Sequence, residues 1–404
     1  MGRYVLVFLL ALGLIMPAHA QEAERPVSGS LIYLPRIALP EDAEVAVQVE
    51  GAFGAILGET RFATGGAQVP LPFELSIVEG LSGQLSALIR VEGAPWWLVE
   101  DVAVPAEGAV ELGELKLTQY VPLAFVSQYD CGGTSIVFGM ADDTPTLRVD
   151  GRDYALSEAK AASGARYVGD GVEFWSKGDE ASVTLDGAEL PLCKVAGEVE
   201  RYTARGNEPG WHVTIGEEEI ELVADYGEIT HRAPRPEVQV MPGAYVFDIP
   251  AAEAVLKLEE RLCHDSATGM PYPHAALLEM GERVLVGCGG DPESLLSGAE
   301  WQVEDVAGGG IVDGSNITIG FDGAGRVYGG TGCNRFMGGY TLTGEGLEMG
   351  QMGVTMMACA EALMAQEQRV LDALGRVARF DIDETGALEL IGADGAVLLL
   401  ARRG

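Results

Sequence analysis

Positive charge is scarce in this 404-residue sequence: 26 lysines and arginines stand against 61 aspartates and glutamates, a formal charge of −35. A surface of that sign repels nucleic acid and anionic lipid, so no nucleic-acid partner is expected. It attracts cations and basic proteins, although solubility or a salty habitat would explain the acidity as well. Long apolar runs are missing after residue 20, so no stable membrane insertion is expected there. No CxxC pair occurs, which weakens a zinc reading of the six scattered cysteines. No nucleophile elbow accompanies Ser266 and His264, the one pairing that could be read as a hydrolase, so an enzyme is not expected. No exact short repeat is visible. What is present is a composition with 48% hydrophobic residues, enough for packed cores, over a length suited to roughly two to four domains.

The first twenty residues read as a secretory signal: Arg3, the apolar run VLVFLLALGLIM, and the small-x-small site Ala18-His19-Ala20. Cleavage is expected near Ala20, leaving a chain from about Gln21. No cysteine follows that site, so a lipid anchor is not expected; the location would be periplasmic or secreted. Export makes disulfides the default for Cys131, Cys193, Cys263, Cys288, Cys333 and Cys359. Six cysteines allow 15 connectivities. Sequential pairing keeps each bridge inside one module and would contribute roughly 3–4.5 kcal/mol per bridge in the chain-entropy model. Metal ligation by Cys263, His264, Asp265 and His274 is the competing reading, and a bridge at Cys263 would remove its thiolate.

The dominant pattern is strand. Short β-branched and aromatic runs alternate with Gly and Asp turns, as in TLRVDGRDYAL, ASVTLDGAELPL, ITIGFDGAGRVYGG and ALELIGADGAVLLLA. Helical spacing is confined to 251–262 and 360–377. In the second, Leu363, Met364, Val370, Leu371 and Leu374 form one stripe expected to pack into a core. Breaks near 120–122, 195–198 and 292–298 divide the chain into modules 27–117, 123–194, 198–293 and 298–403. The expected fold class is multi-domain and mainly β.

In the first module, Arg36-Ile37-Ala38-Leu39-Pro40 and Pro72-Phe73-Glu74-Leu75 carry a resemblance to the YbaY-type domain, related to pilotin-like lipoproteins of secretion systems. That resemblance implies a β-sandwich and little chemistry; Arg36 could be functional or simply solvated. The second module begins FVSQYDCGG and ends LPLCK, with SGARY (163–167) and FWSKGD (174–179) between. It resembles the MliC/PliC family of inhibitors of C-type lysozyme. The resemblance implies a small antiparallel β-barrel and no cofactor. It also implies that Ser163 and Lys177 enter the lysozyme cleft, with Gly164 and Tyr167 in the same elements. Members of that family are often lipid-anchored or single-domain, whereas this chain is expected to be unanchored and is longer. Without the resemblance, Ser163-Gly164 is a turn and Lys177 a surface charge.

The third module carries ARGNEPGWHVTI (204–215) and CHDSATGMPYPH (263–274), which resemble an uncharacterised envelope-protein family with a GxEPxW element. The fourth has ITIGFDGAGRVYGGTGCNRFMGGY (317–340), VTMMAC (354–359) and a helix containing Glu367. It resembles the META/HslJ domain, with an α+β fold implied. Its GGTGCNRF run lacks the Walker lysine of a phosphate loop, and a turn requiring positive φ is the expected use of the glycines. Together these readings favour an inhibitor of C-type lysozyme, with a non-enzymatic envelope-stress or folding factor as the alternative.

Overall fold

The computed structural model describes residues 23–35, 37–132, 134–149, 151–195, 201–323 and 325–403. The expected signal segment and Arg36 lie outside the described residues. Alternating apolar and polar residues produce two stacked sheets in the first unit. Three strands run in the order Leu71–Val78, Glu24–Ile32, Val110–Lys116. Five run in the order Ile56–Ala63, Glu44–Glu50, Gly83–Val91, Ala94–Val104, Thr118–Gln119. Val45, Val47, Val49, Leu85 and Ile89 from one sheet share a core with Leu71, Phe73, Leu75 and Ile77 from the other. This is the expected sandwich.

The second unit is one antiparallel sheet that closes on itself. Its end strands, Arg152–Ala155 and Ser157–Ala159, are separated only by Leu156, whose N–H donates to the Pro145 carbonyl at 2.7 Å. One bent strand thus forms both edges, and neither edge is left open. The core is small: Tyr129, Ile136, Leu147, Phe174 and Val183 surround the fully buried Cys131–Cys193 bridge. A unit of this size gains a large share of its stability from such a cross-link.

The third unit is a nine-stranded antiparallel sheet curled about its own core. Here the sequence expectation of a helix over 251–262 is wrong. A short 3-10 turn, Pro250–Ala252, leads to the strand Ala254–Glu259. Glu253 has φ +47°, which stops helix propagation. Ala254, Leu256 and Leu258 then alternate inward between flanking strands Ala244–Ile249 and His274–Met280. Cross-strand pairing overrode a propensity that favours helix.

The fourth unit combines a curled nine-stranded sheet with the helix Glu361–Leu374. Gly346 at one end of the sheet has no room for a side chain, since a Cβ would lie 2.5 Å from the Ala378 carbonyl of the other end. Val370 and Leu374 are buried as expected, but Met364 is exposed, and Gln366 and Glu367 are buried in its stead. The remaining bridges are Cys263–Cys288 and Cys333–Cys359, completing the sequential pairing. No helix among the described residues is long and apolar enough to cross a membrane.

The first and third units share a core although the second separates them in sequence. Phe53, on the turn Ala52–Gly54, sits edge-on to Tyr202, Tyr245 and Phe247 at centroid distances of 4.9, 5.3 and 5.1 Å. Ala52 N–H donates to the Tyr245 hydroxyl at 2.9 Å, Arg235 Nη2 to the Phe53 carbonyl at 2.7 Å, and Gly243 N–H to the Glu79 carbonyl at 2.8 Å. The second barrel is therefore an insertion between two units that hold each other. Calorimetry should show the sandwich and the third sheet unfolding together. Phe53→Ala should destabilise that joint transition by about 3 kcal/mol.

A short helix, Glu293–Leu296, leads into the fourth unit. The Tyr340 hydroxyl donates to the Glu293 carboxyl. Burial, reinforced by the charges of Asp291 and Asp322, pushes that carboxyl up to about 7. A carboxyl raised in the folded state contributes stability that is complete below its unfolded value and lost as pH rises through about 7. Glu293→Gln mimics the neutral form, so the melting temperature of wild type should fall relative to that variant between about pH 4.5 and pH 7, the range of the shift. Parallel melting curves across that range would contradict the assignment.

Candidate functional site

The hairpin of strands Ala165–Gly169 and Val172–Lys177 pairs Ala165 with Ser176. That register carries Gly164 to the end of the second strand, beside Lys177. Gly164 has φ +71°, and a Cβ there would lie 2.1 Å from the Ser176 carbonyl and 3.2 Å from the Lys177 Cβ. Glycine is required for both reasons: the left-handed conformation and the close approach. Trp175 Nε1–H donates to the Ser163 carbonyl at 2.9 Å, which holds the turn from the neighbouring strand. Ser163 and Lys177 are both exposed. The structure thus brings Ser163, Gly164 and Lys177 together at one rim of the barrel.

Lys177 forms no ion pair among the described residues, although Glu180 is its cross-strand partner. The nearby Arg166 is committed: Nε and Nη2 both donate to Glu173 at 2.8 Å and hold that carboxyl below the usual range. Tyr167 differs from the other three expected residues. It is half-buried and packs against Phe138 at 4.7 Å and Phe174 at 6.3 Å, so it supports the hairpin from inside. Trp175 supports the turn from outside, through its bond to the Ser163 carbonyl. The bond depends on strand register, which composition does not encode.

The metal reading of the third unit meets a disulfide at Cys263, which leaves no thiolate there. Its companions have separate partners. His264 pairs with Asp381 at 2.8 Å, and the His274 ring bonds the Tyr202 hydroxyl at 3.1 Å. Burial resists ionisation of Asp265, but bonds from Asn207, Thr268 and Ala267 outweigh it and lower its pKa. In the fourth unit the GGTGCNRF run builds a cage around a buried carboxylate. The Thr331 hydroxyl donates to Glu367 at 2.7 Å, and Asn334 Nδ2 donates at 3.3 Å. Gly332 takes φ +87°, as expected of a turn glycine. The sequence singled out these residue types but not Glu367 as their centre.

Comparison with known proteins finds three matched ranges. Residues 129–191 match the family model of the membrane-bound lysozyme-inhibitor of c-type lysozyme. Residues 294–404 match the META domain, and residues 22–104 match the type III secretion system lipoprotein chaperone (YscW). A curated relative, the membrane-bound lysozyme inhibitor of C-type lysozyme from Yersinia enterocolitica, is 43% identical over 61 residues, 14% of this chain. The chain spans about half, 51%, of that relative's length. An alternative pilotin from the type II secretion system of Vibrio cholerae is 25% identical, with a TM-score of 0.23. The match covers 25% of this chain and 100% of the pilotin. A protein from Burkholderia xenovorans solved by NMR is 27% identical, with a TM-score of 0.24, over 28% of this chain and 86% of its own. The chain is thus similar in separate parts to a lysozyme inhibitor, a META domain and a lipoprotein chaperone.

Gly164→Ala should strain the rim by about 1–3 kcal/mol and displace the Ser163 carbonyl from Trp175. Faster solvent exchange of the Trp175 indole proton in NMR, with the barrel still folded, is the expected signature. An unchanged indole proton would mean that the turn tolerates a side chain.

Proposed function

We propose that the second unit makes this protein an inhibitor of C-type lysozyme, with Ser163 and Lys177 entering the active-site cleft together. The reading rests on one observation above all: an exposed hydroxyl and an exposed lysine with no ion pair among the described residues stand on one glycine-dependent rim. The rim falls within the range matched by the inhibitor family. C-type lysozyme works with two carboxyl groups flanking the scissile bond. Lys177 would meet the ionised one. Ser163 can donate to a carboxylate or accept from a protonated carboxyl. Excluding water from the cleft strengthens both contacts. The acidic surface would steer the inhibitor toward a basic enzyme. In this reading Tyr167 and Trp175 support the rim, and the chain divides into modules 27–117, 123–194, 198–293 and 298–403. The three bridges fit an extracytoplasmic location, periplasmic or secreted.

The chaperone-family match of the first unit favours a second reading, a non-enzymatic folding factor of the envelope. Inhibition assays with a C-type lysozyme separate the two. Lys177→Ala should weaken inhibition by about 2–5 kcal/mol, because it leaves a carboxylate unpaired in a dry interface. Ser163→Ala should cost about 1 kcal/mol. Thermal melts should match wild type, since both side chains are exposed. A folded double variant that inhibits like wild type overturns the cleft-entry reading. Suppression of client aggregation without any inhibition would favour the second.

A further inference from the structure

The element ARGNEPGWHVTI lies outside the unit proposed to inhibit lysozyme, and the fold places it along an open cleft of about 530 Å³ on the outer side of the third sheet. Arg205 and His212 are direct cross-strand partners there, and His212 is in turn paired with Val223. Both Arg205 and His212 are exposed, and among the described residues neither forms an ion pair, in a chain with 61 acidic residues. The Arg205 guanidinium lies over the Tyr272 ring, at 5.6 Å. Two donors for an anion thus stand together without a carboxylate between them.

The facing wall is Tyr226, 78% exposed. Its backbone has φ +58°, and that of Asp225 before it +51°. Two consecutive non-glycine residues in the left-handed region are held only where the surroundings enforce them. The enforcement is visible. Asp225 accepts from both terminal nitrogens of Arg283, at 2.8 and 2.6 Å. The Tyr226 ring lies so close to Gly210 that a Cβ there would be 2.9 Å from Cδ1. The Tyr226 hydroxyl reaches the Asn207 carbonyl at 3.5 Å, and the Asn207 side chain is tied to Asp265 at 3.0 Å. The two sequence elements of this unit thus act together to hold an aromatic ring out in solvent, opposite Arg205 and His212.

We propose that this cleft binds a saccharide carrying a carboxylate. The sugar ring lies on Tyr226. The carboxylate meets the planar fork of Arg205, with His212 as a second donor. Thr203 on the cleft wall supplies a hydroxyl for the sugar's own hydroxyls. An open, hydrated cleft with one guanidinium suits a singly charged, hydroxyl-rich ligand. An aromatic acid would need a deeper apolar slot.

The test titrates the full chain with a uronic-acid trisaccharide, its carboxyl-reduced neutral counterpart, benzoate and inorganic phosphate, followed by calorimetry. The uronate should bind about tenfold more tightly than the neutral sugar or either small anion, as a charge-assisted contact to arginine implies. Arg205→Gln should erase the difference between the two sugars. Tyr226→Ala should weaken both alike, while Tyr226→Phe retains the stacking surface and should bind both sugars nearly as wild type does. Melting curves report that each variant is folded. Equal affinity for the two sugars, tighter binding of benzoate or phosphate, no sugar binding up to about 10 mM, or unchanged discrimination in folded Arg205→Gln would each overturn the proposal.

Discussion

The seating of Phe53 among Tyr202, Tyr245 and Phe247 is the contact on which the arrangement of this chain depends. Three edge-on aromatic contacts, each worth about 0.5–1.5 kcal/mol beyond their buried area, join units separated by an entire domain. The chain leaves this joint after Thr118–Gln119, forms the small barrel, and returns to it at Tyr202–Asn207. Both ends of the barrel are therefore attached to one body. Its closure through Leu156 leaves no open sheet edge, and its Cys131–Cys193 bridge cross-links its core.

Much of this was legible in the sequence, and the failures have physical causes. Strand alternation and one cysteine pair per module were enough to anticipate the β architecture and the three bridges. Helical spacing misled at 251–262, because AVLKLE satisfies both periodicities and Glu253 in the left-handed region cannot be read from composition. The helix Glu361–Leu374 was legible, but its buried face includes Glu367, whose carboxylate is stabilised by Thr331 and Asn334 from a distant turn. Phe53 gave no signal at all, since its partners lie some 150 to 190 positions away in the chain. Ser163-Gly164 was legible as a turn and Lys177 as a surface charge. The Trp175 bond and the steric need for Gly164 emerge only once the register is fixed.

Electrostatics gives the rim its character. Exposed pairs such as Arg166 with Glu173 contribute little to stability in water, but they remove charges from circulation. Lys177 is left without such a partner among the described residues, in a protein with more than twice as many acids as bases. A lysine in that setting is available to a carboxylate supplied by another molecule, and the attraction in a site sealed from water offsets the cost of drying both charges. The surrounding negative charge at the same time favours approach by a basic partner.

Competition for the lysozyme cleft tests this account most directly. The inhibition constant would be measured at rising concentrations of an oligosaccharide that occupies the lysozyme substrate site. If Ser163 and Lys177 occupy that cleft, the apparent constant rises in proportion to the oligosaccharide concentration. An inhibition constant indifferent to the oligosaccharide would place the contact elsewhere on the enzyme and contradict the account.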